Sequence, residues 1–183
     1  MAYNLAQKVS GNAKVVITDM SNVLSSIDTL SLCNIHTTDT VNVDLYVTSQ
    51  LGTDITTTGV QAAEAEAIST SSVVLNVDQV VPTDDLLKDE IVYKSDGTIF
   101  GTATATADAT PDTVTFSGGL TTAIANDDFL FTGTRYYILK GVAIPVNTTL
   151  VLNKDELRVD PDDYLMYIKL SAADSTVDAI TRK

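Results

Sequence analysis

The sequence contains little of what most catalytic, metal and disulfide sites are built from. Of its 183 residues, one is cysteine, one is histidine and none is tryptophan. A single cysteine leaves no disulfide within the chain, which excludes the disulfide-rich scaffolds of small secreted proteins. A single histidine leaves His36 as the only base for a serine-type triad, and no partner pattern accompanies it. We therefore expect a non-enzymatic protein without a cofactor, whose fold depends on core burial.

Basic residues and long apolar runs are also scarce. Eleven Lys and Arg stand against 24 Asp and Glu, and the net charge is −13 at pH 7. Binding to DNA or RNA needs clustered basic side chains that displace counterions, so we expect no nucleic-acid partner. No apolar run is long enough to span a bilayer, and we expect no membrane partner. The apolar fraction of 44% is nevertheless enough for a packed core.

The chain does contain short apolar runs that are separated by turn residues. Between residues 136 and 170, five such runs follow one another closely. They are cut at Gly141, Pro145–Asn147, Asn153–Asp155 and Asp160–Asp163. Short, regularly spaced strands with turn chemistry between them indicate an antiparallel β-sandwich or barrel.

The first fifty residues predict one pair of strands. Val41–Thr48 alternates between apolar and polar residues, with the apolar side facing the core. Thr29–Ile35 is predicted to pair with it as a hairpin, with a bulge near Leu32 that reconciles a break in its alternation. Ala13–Thr18 is typical of a further strand. Residues 1–12 show no period, and we interpret them as an arm.

The middle of the chain has a different character. Residues 51–59 are rich in Thr and Gly and are interpreted as a linker, while 60–68 could form about two helical turns. The Asp96-Gly97 turn between apolar runs predicts a hairpin, because Gly accepts a positive φ without cost. Residues 120–125 suggest one helical turn. We expect 71–131 to form a small β-barrel.

These patterns predict a nested, all-β layout. Residues 1–50 and 135–183 would form one discontinuous antiparallel β-sandwich, jelly-roll or Ig-like, close to the roughly 100 residues of an Ig-sized domain. Residues 51–134 would form an inserted acidic β-barrel domain, and the alternative is one continuous barrel. The insertion has thirteen acidic and two basic side chains, a net charge of −11. Copies of such a lobe repel one another, which favours the near-neutral sandwich as a docking surface. Alternatively, these acidic residues merely line loops.

Two groups of residues invite a metal interpretation, and neither predicts a site. Cys33 and His36 lie three apart on a strand and would point to opposite faces. We expect Cys33 to be a small buried hydrophobe and His36 a polar residue at a strand end. Asp160, Asp162 and Asp163 lack the twelve-residue calcium loop and its terminal Glu, so they are interpreted as turn residues.

The adjacent tyrosines Tyr136 and Tyr137 suggest a sugar-stacking platform. Neighbours on a strand face opposite ways, so only one ring could join such a platform. We expect one tyrosine to pack into the core and the other to cap the rim. A glycan-binding or host-adhesion module remains the alternative function, and no pair of carboxylates stands out as a glycosidase site.

Several stretches resemble a module of tailed-phage structural proteins, with an Asn after an apolar strand, a polar turn, an alternating strand, and later a Tyr-Tyr-x-Leu and Ile-Pro pattern. They are Leu30–His36, Val41–Val47, Tyr136–Pro145 and Thr149–Leu152, followed by a closing pair at Leu157–Val159 and Tyr164–Leu170. Tyr93–Thr102 and Val114–Leu120 are similar to a small barrel in virion proteins of large marine myophages.

The resemblance implies a virion structural protein. It would be a multi-copy capsid decoration, neck or tail-accessory subunit, assembled in the host cytoplasm, and its partners would be copies of itself and other virion proteins. We expect the homo-oligomer contact in the sandwich, at free strand edges and at basic side chains. The candidate interface residues are Val142, Ile144, Arg158, Lys169, Val177 and Ile180.

Overall fold

The structure, a computed structural model, describes residues 4–17, 27–78, 87–157 and 163–182. All regular secondary structure in these ranges is β, which confirms the all-β class. The strands, numbered along the chain, are β1 Asn4–Ser10, β2 Val15–Val16, β3 Thr29–Asn34, β4 Val41–Ser49, β5 Ile55–Gln61, β6 Val73–Val77, β7 Glu90–Tyr93, β8 Ile99–Ala103, β9 Ala105–Ala107, β10 Asp112–Phe116, β11 Phe129–Gly133, β12 Arg135–Ile144, β13 Thr149–Asn153, β14 Tyr164–Leu170 and β15 Thr176–Arg182.

The chain divides into two compact units. Met1–Thr48 and Arg135–Lys183 form the first, here called the sandwich unit, and Ser49–Thr134 form the second, here called the inserted unit. The sequence predicts breaks after residues 50 and 134. The structure therefore places the first break two residues earlier and the second at the same position.

The sandwich unit consists of two antiparallel four-stranded sheets. The strand order is β1-β15-β3-β13 in the first sheet and β12-β4-β14-β2 in the second. One cluster of aliphatic side chains fills the space between them, including Leu30 and Leu32 of β3, Val43 of β4 and Ile168 of β14. These four side chains have no exposed surface. Their alternation along each strand is what directs one face of each sheet to the core.

The hairpin predicted between Thr29–Ile35 and Val41–Thr48 is wrong. β3 pairs with β13 and β15 in the first sheet, whereas β4 pairs with β12 in the second. The connection between them therefore crosses from one sheet to the other. β3 also pairs without a register shift, so no bulge forms at Leu32, and the buried Asn34 continues its inward face.

Asn34 explains why the connection crosses between sheets. Its side-chain amide donates to the carbonyl oxygens of Asp39 and Ile144 at 2.9 and 2.7 Å, and its Oδ1 accepts the N–H of His36 at 2.8 Å. One fully buried side chain thus ties the turn to the end of β12. A buried amide with its hydrogen bonds satisfied specifies such a path, because the same group without partners would be costly.

Two other expectations in the sandwich unit are corrected. The segment interpreted as an arm contains β1, which pairs along its whole length with β15. Gly141 does not end a strand, because β12 runs through it with register shifts on either side of Leu139. Gly141 has a φ of +62° and donates its N–H to Asp44 Oδ1 at 2.6 Å, so it belongs to an irregular stretch of the strand and not to a turn.

The inserted unit contains the other two sheets, with orders β5-β11-β7-β8 and β6-β10-β9. Their shared core includes Phe100, Phe116 and Leu75. The predicted linker is wrong, since it contains most of β5. The predicted helical turns are wrong as well, because 60–68 and 120–125 contain no helix, and isolated bridges connect Glu66 to Ile124 and Ser69 to Leu120.

The hairpin at Asp96-Gly97 is confirmed. It joins β7 to β8, with Gly97 at a φ of +84° and Asp96 Oδ1 accepting the N–H of Thr98 at 2.9 Å. Hydrogen bonds from the Thr98 side chain, and then from its backbone N–H, lower the pKa of the Asp96 carboxyl. The described strands of the unit form two sheets over one core, and the closed barrel remains a prediction.

Candidate functional site

The outer face of the second sheet carries three tyrosines side by side. Tyr137 of β12, Tyr46 of β4 and Tyr167 of β14 lie on neighbouring strands, on the face opposite the core. The ring centroid of Tyr46 is 5.4 Å from that of Tyr137 and 5.6 Å from that of Tyr167. Cross-strand aromatic pairs at such distances stabilise a sheet by about 0.5 to 1 kcal/mol each. We call these residues the tyrosine row.

Each ring of the tyrosine row has a cation above it. Lys14 Nζ lies 5.0 Å from the ring of Tyr167, and the Arg135 guanidinium lies 5.0 Å from that of Tyr46. Lys140 Nζ lies 4.7 Å from the ring of Tyr137. Such contacts contribute from about 0.5 kcal/mol when exposed to about 2 kcal/mol when desolvated. Three basic side chains therefore lie over the rings of the tyrosine row.

The prediction for the two adjacent tyrosines is half right. Tyr136 and Tyr137 do face opposite ways, as alternation on a strand requires. Neither packs into the core, since they expose 48% and 43% of their surface. Tyr136 instead meets the edge of Tyr164, with centroids 6.1 Å apart. The long apolar body of each ring is covered by a neighbouring side chain at the rim of the sheet.

A polar cavity lies on the same outer face as the tyrosine row. Its volume is about 390 Å³, and it draws residues from the β1–β2 turn, β4, β12 and the end of β14. The polar groups that line it come from Asn12, Asn42, Asp44, Gly141, Lys169 and Ser171. We call it the polar cavity. Of these lining residues, the sequence analysis named only Lys169 as a candidate, and it assigned Lys169 to an interface.

The strand edge predicted at Val142 and Ile144 is present among the described residues. β12 is an end strand of the second sheet, and both residues line an open apolar groove of about 150 Å³. The groove continues through Pro145 to Leu150 at the start of β13, which is itself an end strand of the first sheet. The two sheets therefore both end beside this groove, here called the edge groove.

The edge predicted at Val177 and Ile180 is wrong. Both belong to β15, which lies between β1 and β3 and is paired on both sides. Val177 is fully buried in the core, whereas Ile180 is 39% exposed on the outer face of the first sheet. Arg158, the remaining candidate, lies outside the described residues.

His36, Asp39 and Asp174 come together at the end of the first sheet. His36 Nδ1 lies 3.8 Å from Asp39 Oδ2 and Nε2 lies 3.8 Å from Asp174 Oδ2, and the ligand atoms of the three side chains fall within 4.8 Å of one another. However, His36 Nδ1 accepts the backbone N–H groups of Asp39 and Thr38 at 2.9 and 3.3 Å. The Nδ1 lone pair is thus engaged by backbone N–H groups and is not available to a metal. His36 serves as the cap of a turn.

The remaining candidates behave mostly as turn and surface residues. Asp128 Oδ2 accepts the N–H of Ala125 at 2.9 Å, and Asp127 has a φ of +66°, so this acidic pair forms a turn. Cys33 is half-buried and lies on the outer face of β3, so the expectation of full burial is wrong. Asp160 and Asp162 lie outside the described residues, so the prediction that they are turn residues is untested.

Searches against family models, curated proteins and solved structures find no match for this chain. Within the described ranges, the structure contains no helix that is long and apolar enough to cross a membrane.

Sequence reasoning missed the tyrosine row and the polar cavity because both depend on strand register. The alternation of β4 places Asn42, Asp44 and Tyr46 on the outward side, and that much is visible in the sequence. Which strands lie beside β4 is not visible. Only the pairing with β12 and β14 brings Tyr137 and Tyr167 to Tyr46, and Lys169 to Asp44.

Proposed function

We propose that this protein is a non-enzymatic structural component of a tailed-phage virion, present in many copies as a capsid decoration, neck or tail-accessory subunit. The resemblance of Leu30–His36, Val41–Val47, Tyr136–Pro145 and Thr149–Leu152 to a phage module supports a role in the virion. The observation that carries the multi-copy role is the edge groove. It joins the open end strands of both sheets in the unit that has almost no net charge.

The geometry of β12 favours pairing at one stretch of its edge. Its middle part is irregular, with register shifts between Tyr137 and Leu139 and between Leu139 and Val142. Such irregularities protect an edge against addition of another strand. From Val142 to Ile144 the pairing with β4 is regular again, so backbone groups at this edge are arranged for a strand from a neighbouring copy.

Charge supports the same surface. The inserted unit has thirteen acidic and two basic side chains, and the sandwich unit has a net charge of −2. Bringing inserted units together would cost repulsion, whereas the sandwich unit can match opposite charges across a contact. The proposed partners are copies of this chain and other virion proteins, with no nucleic acid and no membrane.

Matched substitutions at two strand edges test this proposal. Val142→Lys places a charge at the edge groove, and Val74→Lys places one on β6, an end strand of the inserted unit whose Val74 is 55% exposed. We expect Val142→Lys to reduce the mass of the assembly in light scattering and Val74→Lys to leave it unchanged.

Immunogold labelling of purified phage particles tests the location, and we expect label at regular positions on the virion. Particles without label, together with a monomeric wild-type protein, would contradict the proposal. Disruption by Val74→Lys alone would move the contact to the inserted unit.

The second candidate function, glycan binding, is favoured by the polar cavity.

A further inference from the structure

We propose that the polar cavity of the sandwich unit binds a neutral saccharide. This inference does not rest on the virion role, because a sugar site on the sandwich unit is compatible with any of the proposed positions. Its starting point is the chemistry that four chain segments bring to one place. About 390 Å³ is at the lower end of the roughly 300 to 1,000 Å³ of small-molecule pockets, and suits one or two sugar rings.

The charges of the cavity balance. Asp44 provides one carboxylate and Lys169 one ammonium group, and the other polar residues are the neutral Asn12, Asn42 and Ser171. An anion such as a phosphate would meet the Asp44 carboxylate, and a metal cation would meet the Lys169 ammonium. A neutral ligand with many hydroxyl groups is repelled by neither the Asp44 carboxylate nor the Lys169 ammonium group. Hydroxyls both donate and accept, which matches a lining that contains acceptors, donors and amides.

Part of this lining is held in place by the fold. Asp44 Oδ1 accepts the Gly141 N–H at 2.6 Å, which fixes the carboxylate against the irregular part of β12. Ser171 is fastened to β4 twice, since its N–H donates to the Asn42 carbonyl at 3.0 Å and its Oγ accepts the Asn42 N–H at 3.3 Å. Rigid polar groups bind with little loss of conformational entropy.

Other polar groups in the lining are available to a ligand. The exposed side-chain amides of Asn12 and Asn42 make no hydrogen bond to the described residues. A carboxylate has about four acceptor positions, so the one bond to Gly141 leaves capacity for sugar hydroxyls. Polar groups held by the fold and polar groups available for hydrogen bonding thus lie on one wall. Such a surface can distinguish sugars by the arrangement of their hydroxyl groups.

Within the tyrosine row, Tyr137 offers exposed ring surface on the same face as the cavity. Tyr46 follows Asp44 by two positions on β4, which is about 7 Å along the same face. Tyr137 is the register partner of Tyr46 and exposes 43% of its surface, with Lys140 Nζ 4.7 Å from its ring centroid. The C–H face of a second sugar ring would contact this tyrosine. We therefore expect disaccharides to bind more tightly than monosaccharides.

Amide NMR shifts of the full-length protein during titration with saccharides test the proposal. The probes are neutral mono- and disaccharides at millimolar concentration, with sialylated and phosphorylated sugars as comparison. We expect neutral sugars to shift the amides of Asn42, Asp44, Gly141 and Ser171. Absence of shifts at these amides with every neutral sugar would overturn the inference, as would a response to the anionic sugars alone.

Substitutions locate the binding. Asn42→Ala and Asp44→Asn should each weaken it about tenfold, because each removes a hydrogen bond to the ligand. Asn can still accept the Gly141 N–H, so Asp44→Asn is expected to fold normally. Asn153→Ala, an exposed asparagine on the first sheet, is the matched control and should bind as the wild type does. Equal affinity in all three variants would place the sugar elsewhere and overturn the assignment.

Discussion

The two units are both antiparallel β structures, yet they use opposite side-chain chemistry. All four phenylalanines lie in the inserted unit, whereas six of the seven tyrosines and nine of the eleven basic residues lie in the sandwich unit. The buried cluster of the sandwich unit contains no aromatic residue, and three of its tyrosines lie on the opposite face of the second sheet under cations. The inserted core contains Phe100 and Phe116. Similar sheets can therefore be stabilised by different residues and present different surfaces.

The difference extends to the backbone. The inserted unit relies on close approaches at glycine, and Gly119 is the clearest case. A Cβ there would lie 2.0 Å from the Ser69 carbonyl oxygen, and its φ of +84° already disfavours other residues. In the sandwich unit, a Cβ on Gly141 would meet no atom within 4 Å. The inserted unit should thus be the one that tolerates backbone changes less.

The largest effect that we expect comes from Gly119→Ala. The clash with a backbone oxygen and the strained φ should together destabilise the inserted unit by about 4 kcal/mol. Gly118→Ala is the matched control, since its Cβ would enter open space, and it should change stability by about 0.5 kcal/mol or less. Calorimetry checks both. Equal destabilisation by the two substitutions would mean that the close approach at Ser69 does not exist.

The next effect belongs to the sandwich unit. Asn34→Ala removes three hydrogen bonds, and it leaves the buried Ile144 carbonyl and two part-buried groups at His36 and Asp39 without their partner. We expect a loss of about 3 kcal/mol in the free energy of unfolding of this unit, measured by denaturant titration. Asn153→Ala is the control and should be neutral. A neutral Asn34→Ala would show that the crossing between sheets does not depend on this side chain.

A smaller effect is expected at Tyr93 of the inserted unit. Its hydroxyl donates to the Gln50 carbonyl at 2.9 Å, so Tyr93→Phe should cost about 1 kcal/mol near neutral pH. Burial, and then the charge of Glu90, raises the pKa of Tyr93 above its ordinary 10.0. The folded chain therefore keeps the phenol proton to higher pH than the unfolded chain does.

The resulting pH dependence has a definite sign. The stability linked to the Tyr93 proton is complete below pH 10 and is lost as the pH rises above the unfolded value. The wild type should thus lose stability above pH 10 more steeply than Tyr93→Phe, and the gap between them should narrow. Denaturant titrations at pH 8 to about 11 measure this. Parallel curves for the two proteins would contradict the raised pKa.

Much of the architecture follows from local patterns, and the exceptions have physical reasons. Alternation predicts the inward face of β4, and turn chemistry predicts the Asp96-Gly97 hairpin, because both depend on neighbours in sequence. The strand partner of β3 depends on which buried group accepts a hydrogen bond from the Asn34 side chain. Strand β5 is recognised only through its pairing with β11. Periodicity alone cannot supply these long-range partners, and the candidate sites on the second sheet depend on them in the same way.

The central claim is that the two units fold independently within one chain. The junctions support it, because Thr48 and Arg135 are register partners in the sandwich unit, and Ser49 N–H donates to the Thr134 carbonyl at 3.0 Å in the inserted unit. Residues 49–134 can therefore be deleted and Thr48 joined to Arg135 through a two-residue Asn-Gly turn, which suits antiparallel neighbouring strands.

Calorimetry of this deletion product and of the isolated segment 49–134 is the most direct measurement. We expect each to unfold cooperatively, and each melting temperature to match one of the two transitions of the whole protein within a few degrees. A deletion product without a cooperative transition, or a whole protein that melts in a single transition while neither part folds, would contradict the claim.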